Sequence, residues 1–278
     1  MPITRRTVLK ALAATAAGAF AGAGAYGYFD ERHQLVITRA DIRVPVLPRA
    51  LDGLRIGFLT DVHCSRWMSP DDVRHAALLL RNERPDLIVL GGDYVTWGDR
   101  THVQPSAEAL SVLSAPHGVF GILGNHDDDR DMPAALTARH ITVLKDARTR
   151  LTIKGEVVDL VGIRFWTKRL ADIAMLTRGA ARNVILLAHD PRRLTEAAAL
   201  RIPLVLSGHT HGGQVVLPLI GPVAAQKFPV VAGVGARDNT MMFVSRGIGT
   251  VYVPVRINCK PEIAVLTLRS AVDAPKPS

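Results

Sequence analysis

The side chains that can bind a metal ion or transfer a proton occur in five short blocks of the 278-residue chain. In sequence order the blocks are Asp61-Val62-His63, Gly91-Gly92-Asp93, Gly124-Asn125-His126-Asp127, His189-Asp190 and Gly208-His209-Thr210-His211. They offer carboxylates, imidazoles and an amide, a donor set that suits Mn²⁺, Fe or Zn²⁺ better than Mg²⁺ or Ca²⁺. The two cysteines are too few for a cysteine zinc site or a disulfide framework. We therefore expect nitrogen and oxygen atoms to hold any metal.

The spacing within two of these blocks predicts a centre for two ions. Residues i and i+2 of an extended chain point to the same side, so Asp61 with His63, and His209 with His211, would each present two ligands to one cavity. Glycines around the second pair, in the sequence GHTHGG, permit close approach to an ion. That segment can supply one imidazole to each of two neighbouring ions. A carboxylate between the ions would reduce their mutual repulsion, and Asp93 is the candidate bridge.

Each block follows a short apolar run, and these runs alternate with longer amphipathic segments. The runs that we predict to be buried strands are 54–60, 87–90, 119–123, 184–188 and 204–206. The predicted helices are 70–81, 105–114, 132–139 and 191–200. Strand-like stretches at 150–165, 241–244, 250–255 and 263–268 suggest a second sheet. This alternation indicates an α/β fold, in which ligands collect at the carboxyl ends of strands, so the five blocks are expected to meet in one crevice.

In these blocks the chain resembles the calcineurin-like metallophosphoesterase superfamily. The signature blocks of that superfamily, D-x-H, G-D, G-N-H-D, H and G-H-x-H, correspond in order to DVH, GD, GNHD, AHD and GHTH. Longer stretches, GHTHGGQVVLP, FVSRGIGT and VRINCKPEIAVLTL, are similar to a branch of exported or membrane-tethered bacterial phosphodiesterases. The resemblance covers about residues 54–268. It implies a single catalytic domain, an α/β two-sheet sandwich flanked by helices.

The resemblance also implies how two divalent ions (Mn, Fe or Zn) would be held. The ligands of the first ion would be Asp61, His63, Asp93 and His211. Those of the second would be Asp93, Asn125, His189 and His209.

The chemistry expected of such a centre is hydrolysis of a phosphate ester. A hydroxide bridging two ions, about 3.5 to 4 Å apart, would attack the phosphorus in line while the ions clamp the phosphoryl oxygens. We expect His126 to be the general acid for the leaving oxygen. Asp127 is expected to orient the ring of His126 and to favour its imidazolium form.

Residues 1–29 are expected to be a twin-arginine export signal or a membrane anchor. Residues 4–10, TRRTVLK, resemble the twin-arginine pattern, with Val8 in place of the commoner Phe. Residues 11–29 carry no charge, and a helix of that length, at about 1.5 Å per residue, approaches the roughly 30 Å of a bilayer core. Arginines ahead of an apolar run predict that the rest of the chain is exported across the inner membrane. The exported domain would then be free in the periplasm or anchored to the membrane and facing outward.

The remaining boundaries and the charge complete the expected organisation. We predict a linker and entry strand at 30–50, the metallophosphoesterase domain at 51–270 and a flexible tail at 271–278. The net charge of +9 favours anionic surroundings, but the basic residues are spread along the chain, which is equally compatible with a solvated surface. No basic stretch is interleaved with aromatic residues, so specific nucleic-acid binding is not expected. We expect a monomer that associates with a membrane surface.

Three functions are compatible with these observations. The favoured one is a dimetal hydrolase of the cell envelope that cleaves a phosphodiester or pyrophosphate bond in a lipid-derived or wall-derived anionic substrate. The second is a membrane-associated pyrophosphate hydrolase resembling the UDP-diacylglucosamine hydrolases of lipid A synthesis, which an active site facing the cytoplasm would support. The third is a non-catalytic envelope protein that binds anionic polymer. The complete set of ligands argues against the third.

Overall fold

The computed structural model describes residues 4–271, so the predicted tail lies outside the described residues except for Ala271. The strands, in chain order, are β1 Val36–Val44, β2 Arg55–Leu59, β3 Leu87–Leu90, β4 Val119–Gly121, β5 Thr142–Val143, β6 Ala147–Ile153, β7 Glu156–Gly162, β8 Asn183–Leu187, β9 Leu204–Ser207, β10 Val216–Leu217, β11 Gly221–Pro222, β12 Gly233–Arg237, β13 Thr240–Val244 and β14 Glu262–Ser270. The α-helices are α1 Arg5–Phe29, α2 Pro70–Asn82, α3 Val103–Leu110, α4 Asp131–Thr137, α5 Leu170–Thr177 and α6 Leu194–Ala199.

The strands form two six-stranded sheets. The first sheet has the order β1-β14-β2-β3-β4-β5, and the second has the order β12-β13-β9-β8-β7-β6. In the first sheet β2 to β5 are parallel, whereas β14 runs antiparallel to β2. In the second sheet β7, β8 and β9 are parallel, and β6 and β12 pair antiparallel at the edges. A separate pair, β10 and β11, forms a short hairpin.

The two sheets pack face to face around a shared apolar core. Phe58 of β2 and Val89 of β3 belong to the same buried cluster as Leu187 of β8 and Phe243 of β13. The rings of Phe58 and Phe243 meet edge to face at 6.3 Å. Residues on the opposite faces of these strands pack under helices, which is why β3 is apolar at every position and its neighbours are apolar on both faces over most of their length. The α/β sandwich of two sheets flanked by helices is therefore confirmed.

The four predicted helical segments are helical in the structure, but their first or last residues differ from the prediction. Helix α2 begins after Ser69, whose hydroxyl accepts the backbone N–H of Asp72 while the Asp72 carboxylate accepts the N–H of Ser69, a reciprocal capping box. The predicted helix at 191–200 is a 3₁₀ turn, Pro191–Arg193, followed by α6. The helix predicted at 105–114 lies at Val103–Leu110, and the one predicted at 132–139 lies at Asp131–Thr137. Helix α5 was not predicted.

Two predictions about the C-terminal strands were wrong. Residues 263–268 lie in β14, which belongs to the first sheet because it pairs along its whole length with β1 and antiparallel with β2. Residues 250–255 form no strand. The side chain of Gln214 bonds to the backbone of Val251 and Val253, and Tyr252 has a φ of 63°, so this segment follows a loop around Gln214.

Helix α1 extends away from the sandwich. Among residues 4–271, one helical stretch, 5–33, is long and apolar enough to cross a membrane, and its apolar window is not buried against the protein. Only its end is anchored: the carbonyl oxygen of Gly27 accepts the N–H of Arg256 at 3.2 Å. Length and composition therefore permit either a signal segment or an anchor.

Candidate metal centre

The five sequence blocks meet in one cleft between the carboxyl ends of strands from both sheets. Asp61 and His63 follow β2, Asp93 follows β3 and Asn125 follows β4, all in the first sheet. The second sheet contributes His189 after β8, and His209 and His211 after β9. Facing strand ends let donors from opposite sides surround a shared space.

The first group of donors is Asp61, His63 and His211, all buried. One donor atom from each residue lies within 4.8 Å of the others. The Nε2 atoms of His63 and His211 are 3.1 Å apart, and Nε2 of His211 is 3.3 Å from Oδ1 of Asp61. These separations are what ligands around one small cation require.

The second group is Asp93, His189 and His209, with the same 4.8 Å limit between donor atoms. Oδ2 of Asp93 lies 3.1 Å from Nε2 of His189 and 3.6 Å from Nε2 of His63 in the first group. A single carboxylate oxygen therefore lies between the two groups. His209 and His211, one residue apart on either side of Thr210, go to different groups.

One donor atom fits this interpretation because it is buried and has no hydrogen-bond partner. Within residues 4–271, Oδ1 of Asn125 is among the buried side-chain atoms without such a partner, whereas Nε2 of His189 has the Asp93 carboxylate 3.1 Å away. Asn125 lines the same cleft as Asp93 and His209. An unpaired buried polar atom costs about 1–3 kcal/mol, which a coordinated cation would remove. The donor set thus fits two divalent ions.

The backbone at the candidate ligands differs from the extended form that the sequence suggested. Positive φ angles occur at Asp61 (51°), His63 (48°), Asp93 (56°), His209 (72°) and His211 (52°). The left-handed region costs a non-glycine residue roughly 1–3 kcal/mol, and Asp and His tolerate it better than most residue types. Asp61 and His63, and likewise His209 and His211, reach the cleft from a backbone with positive φ at both residues. The explanation by extended backbone was therefore wrong. Strain concentrated at these ligands is typical of a functional site.

A further layer of hydrogen bonds orients the ligands. Nδ1 of His189 lies 2.8 Å from the carbonyl oxygen of Gly91, and a carbonyl only accepts, so Nδ1 carries the proton and Nε2 faces the centre. The Asp61 carboxylate accepts the N–H of His209 at 3.0 Å and the hydroxyl of Thr60 at 2.9 Å. His189 and Asp61 are therefore held in orientation by backbone groups and by Thr60.

Burial and mutual charge set the protonation of the ligands. Burial would lower the pKa of His189, but the carboxylate of Asp93 outweighs it and raises this pKa to about 10. Burial would raise the pKa of Asp93, yet His189 and His63 hold it below its ordinary range. Burial lowers the pKa of His63 to about 3 and that of His209 to about 4. His63 and His209 are thus neutral at pH 7, as metal binding requires, while His189 holds a proton that a cation would displace.

The protonation expected of His126 and the partner expected of Asp127 need correction. Nδ1 of His126 accepts the backbone N–H of Trp97 at 3.1 Å, so a neutral ring carries its proton on Nε2. Burial lowers the pKa of His126, which disfavours the imidazolium form. The Asp127 carboxylate does not orient this ring; its oxygens accept backbone N–H groups of Asp93 (2.8 Å), Tyr94 (2.7 Å) and Gly124 (2.8 Å). Asp127 therefore holds two ligand-bearing loops together.

Sequence reasoning missed the buried Arg256. Its guanidinium donates to the carbonyl oxygens of Arg246, Gly247, Gly249 and Cys259. The thiol of Cys259, a free cysteine, in turn donates to the carbonyl oxygen of His211 at 3.2 Å. Arg256 thus organises the loop behind a ligand, and its surroundings in sequence give no sign that an arginine would be buried there.

The cleft beside the donors has room for a substrate. It measures about 390 Å³ and is bordered by the donors on one side and by Lys227, Phe228 and Tyr252 on the other. Phe228 packs edge to face on the ring of His209 at 5.2 Å. A cationic and aromatic border next to a metal centre suits an anionic substrate with an apolar part.

Comparison with known proteins agrees with this geometry. The model of the calcineurin-like phosphoesterase family matches residues 54–213. The chain is 33% identical to the uncharacterized metallophosphoesterase YkuE of Bacillus subtilis, over 96% of this chain and 98% of the relative. It is 31% identical to the phosphodiesterase YaeI of Escherichia coli, over 96% and 99%. The NAD nucleotidase NadN of Haemophilus influenzae shares the fold, with a TM-score of 0.52 at 14% identity over 70% of this chain and 50% of that one.

Proposed function

The chain belongs to the calcineurin-like phosphoesterase family, and from that premise we propose that it is a dimetal hydrolase that cleaves a phosphodiester or pyrophosphate bond in the cell envelope. That it is a metallophosphoesterase, a hydrolase of phosphoester bonds, follows from the family and from its relatives. The diester preference, the envelope location and the lipid-derived or wall-derived substrate are the proposal. We also propose that the ions are Mn, Fe or Zn, because the donors combine imidazole nitrogens with carboxylate and amide oxygens.

One observation carries the proposal: a single oxygen of Asp93, which belongs to the second group of donors, lies close to Nε2 of His189 in that group and also to Nε2 of His63 in the first group. We propose Asp61, His63, Asp93 and His211 as ligands of one ion. For the other we propose Asp93, Asn125, His189 and His209. Bound there, two divalent ions would neutralise phosphoryl charge and lower the pKa of a water molecule.

The chain's own residues would supply the remaining steps. His126 borders the cleft with Asp93 and Asn125, and its Nε2–H is available to donate to the leaving oxygen. Asp127 holds the loops that carry Asp93 and Asn125 in place. Phe228 and Tyr252 cover the sides of the cleft and would limit the access of bulk water.

Hydrolysis of bis-p-nitrophenyl phosphate by purified protein loaded with Mn²⁺ or Zn²⁺ tests the activity. We expect release of p-nitrophenolate that chelation abolishes and metal restores. Protein that carries two ions per chain and hydrolyses neither this diester nor a pyrophosphate would overturn the proposal and favour the non-catalytic alternative.

The location is tested separately. We propose that residues 1–29 direct the chain through the twin-arginine route and that the enzyme acts as a monomer at the outer side of the inner membrane. A reporter fused after Ser278 should be active outside the cytoplasm, and replacement of Arg5 and Arg6 by lysine should block export. An enzyme domain found in the cytoplasm would instead support the UDP-diacylglucosamine type of hydrolase, since nucleotide sugars are found there.

A further inference from the structure

The end of helix α1 is fixed to the segment that borders the active-site cleft. A side chain added at Gly27 would contact Val255 and Ile257, so the helix packs closely against that segment. The buried carboxylate of Glu31 accepts the N–H groups of Asn258 at 2.9 Å and Cys259 at 2.6 Å. The point at which the apolar helix leaves the protein is therefore set relative to the cleft.

A groove connects these two places. It measures about 470 Å³, and we call it the rim groove, defined by Arg66, Trp67, Trp97, Tyr252, Val253 and Pro254. At one end the ring of Trp67 lies 6.0 Å from that of Tyr28 in α1. At the other end the ring of Trp97 lies 4.2 Å from that of His126. Tyr252 and Val253 also border the active-site cleft, so the groove and the cleft lie next to each other.

The rim groove exposes large apolar side chains beside polar groups. Trp97 is 64% exposed, Tyr252 81% and Val253 53%. Contiguous exposed apolar side chains mark interaction sites, and Trp and Tyr favour the boundary between lipid and water. Arg66 stacks over Trp67, with its guanidinium carbon 4.6 Å from the ring centre, and places a cation beside the groove. Asp99 also lines the groove, but Thr101 and His102 hydrogen-bond to its carboxylate.

We propose that the substrate is an amphiphilic phosphodiester drawn from the bilayer, with its phosphate at the metal centre and its hydrocarbon part in the rim groove. This inference rests on the proposed function and names the substrate class of the same site. The occupant is a membrane lipid because the groove begins where the membrane-length helix ends and finishes at His126.

A series of diesters that differ only in an alkyl chain tests the proposal. Methyl, butyl and octyl p-nitrophenyl phosphate undergo the same reaction: the oxygen of water bonds to phosphorus, the bond to the nitrophenyl oxygen breaks, and alkyl phosphate and p-nitrophenol result. Each methylene that enters an apolar site favours transition-state binding by up to about fourfold. With full-length, metal-loaded protein and monomeric substrates, kcat/KM should rise by about tenfold or more from methyl to octyl.

Trp67→Asp should remove most of this rise and leave the rate for the methyl ester unchanged. Trp67→Ser repeats the comparison with a milder change. Val46→Asp is the matched control, because Val46 is 49% exposed and follows β1, at the edge of the sheets opposite the metal centre. A wild-type rate that is independent of chain length, or a full rise in both Trp67 variants, overturns the lipid proposal. Absence of hydrolysis for every ester would instead overturn the proposed function.

Discussion

Oδ2 of Asp93 lies 3.1 Å from Nε2 of His189, and the same oxygen lies 3.6 Å from Nε2 of His63 in the other group of donors. Asp93, in the loop after β3, therefore links a donor of the first sheet, His63, to a donor of the second sheet, His189. A carboxylate in this position can be shared by two cations, which makes Asp93 the residue on which both ions depend.

Asp93→Ala should lose both ions and fall in activity by about 10³-fold or more, since metal-ion catalysis supplies several kcal/mol of barrier reduction. Elemental analysis after exposure to excess Mn²⁺ and gel filtration measures the metal content. Asp129→Ala is the control, because that carboxylate is exposed and pairs only with surface cations. Two ions retained per Asp93→Ala chain would rule out the shared position.

Metal binding should weaken as the pH falls. The carboxylate of Asp93 keeps the pKa of His189 at about 10, so below that pH the cation-free protein holds a proton on the donor nitrogen. Each cation bound there displaces this proton, and the apparent association constant should fall about tenfold per pH unit between pH 8.5 and 6.5. Burial raises the pKa of Asp61 to about 6, so the decline should steepen below that pH.

Titration calorimetry with Mn²⁺, in buffers of different protonation enthalpy, counts the protons released. About one proton per pair of ions is expected at pH 7.5, and His189→Gln should abolish the release. Binding that does not change across this range would contradict the protonated state of His189.

The local parts of this architecture were predictable because they depend on neighbours in sequence. The apolar run at 87–90 coincides with β3, and the capping signals around Ser69 place the start of α2. The blocks at strand ends identified the cleft, since the carboxyl ends of parallel strands must lie at one edge of a sheet.

The remaining parts depend on contacts between distant segments. Assignment of β14 to the first sheet is decided by pairing with β1, more than 200 residues earlier in the chain. The apolar pattern of 250–255 is compatible with a strand, but Gln214 occupies the hydrogen-bonding groups that a strand would need. The role of Asp127 was misjudged because its nearest neighbour in sequence, His126, is not its partner in space.

His126→Ala should lower kcat by about 10²- to 10⁴-fold while both ions remain bound. The side chain lies outside the two donor triads, and its Nε2–H is the group that we propose for the leaving oxygen. Substrates with better leaving groups should suffer less, because a stable leaving anion gains little from a hydrogen bond donated by Nε2–H. Loss of metal from this variant, or an equal loss of rate for all leaving groups, would contradict the role.

Asp127→Asn should destabilise the metal-free protein by about 2–3 kcal/mol, because the carboxylate accepts three backbone N–H groups and an amide would direct its own donors at one or more of them. Chemical denaturation measures the change, and Asp129→Asn serves as the exposed control. Burial and the charge of Asp93 raise the pKa of Asp127 to about 7, above its value in the unfolded chain, so the stability that wild-type Asp127 contributes should be largest at low pH and should shrink as the pH rises to about 7. A variant with unchanged stability but a lower rate would instead restore the role of orienting His126.

Gly208→Ala should cost the first ion while the second is retained. A Cβ at this position would collide with Oδ2 of Asp61 and with the side chain of Thr60, which donates to that same oxygen. Since Asp61 is a donor of the first group only, its displacement should leave Asp93, His189 and His209 in place. Elemental analysis should therefore give about one ion per chain, with hydrolysis reduced because one cation cannot clamp both the attacking and leaving oxygens. Gly18→Ala is the control, as nothing lies near a Cβ there and the residue is within a helix. Two ions in the Gly208→Ala protein would mean that Asp61 does not bind metal at this position.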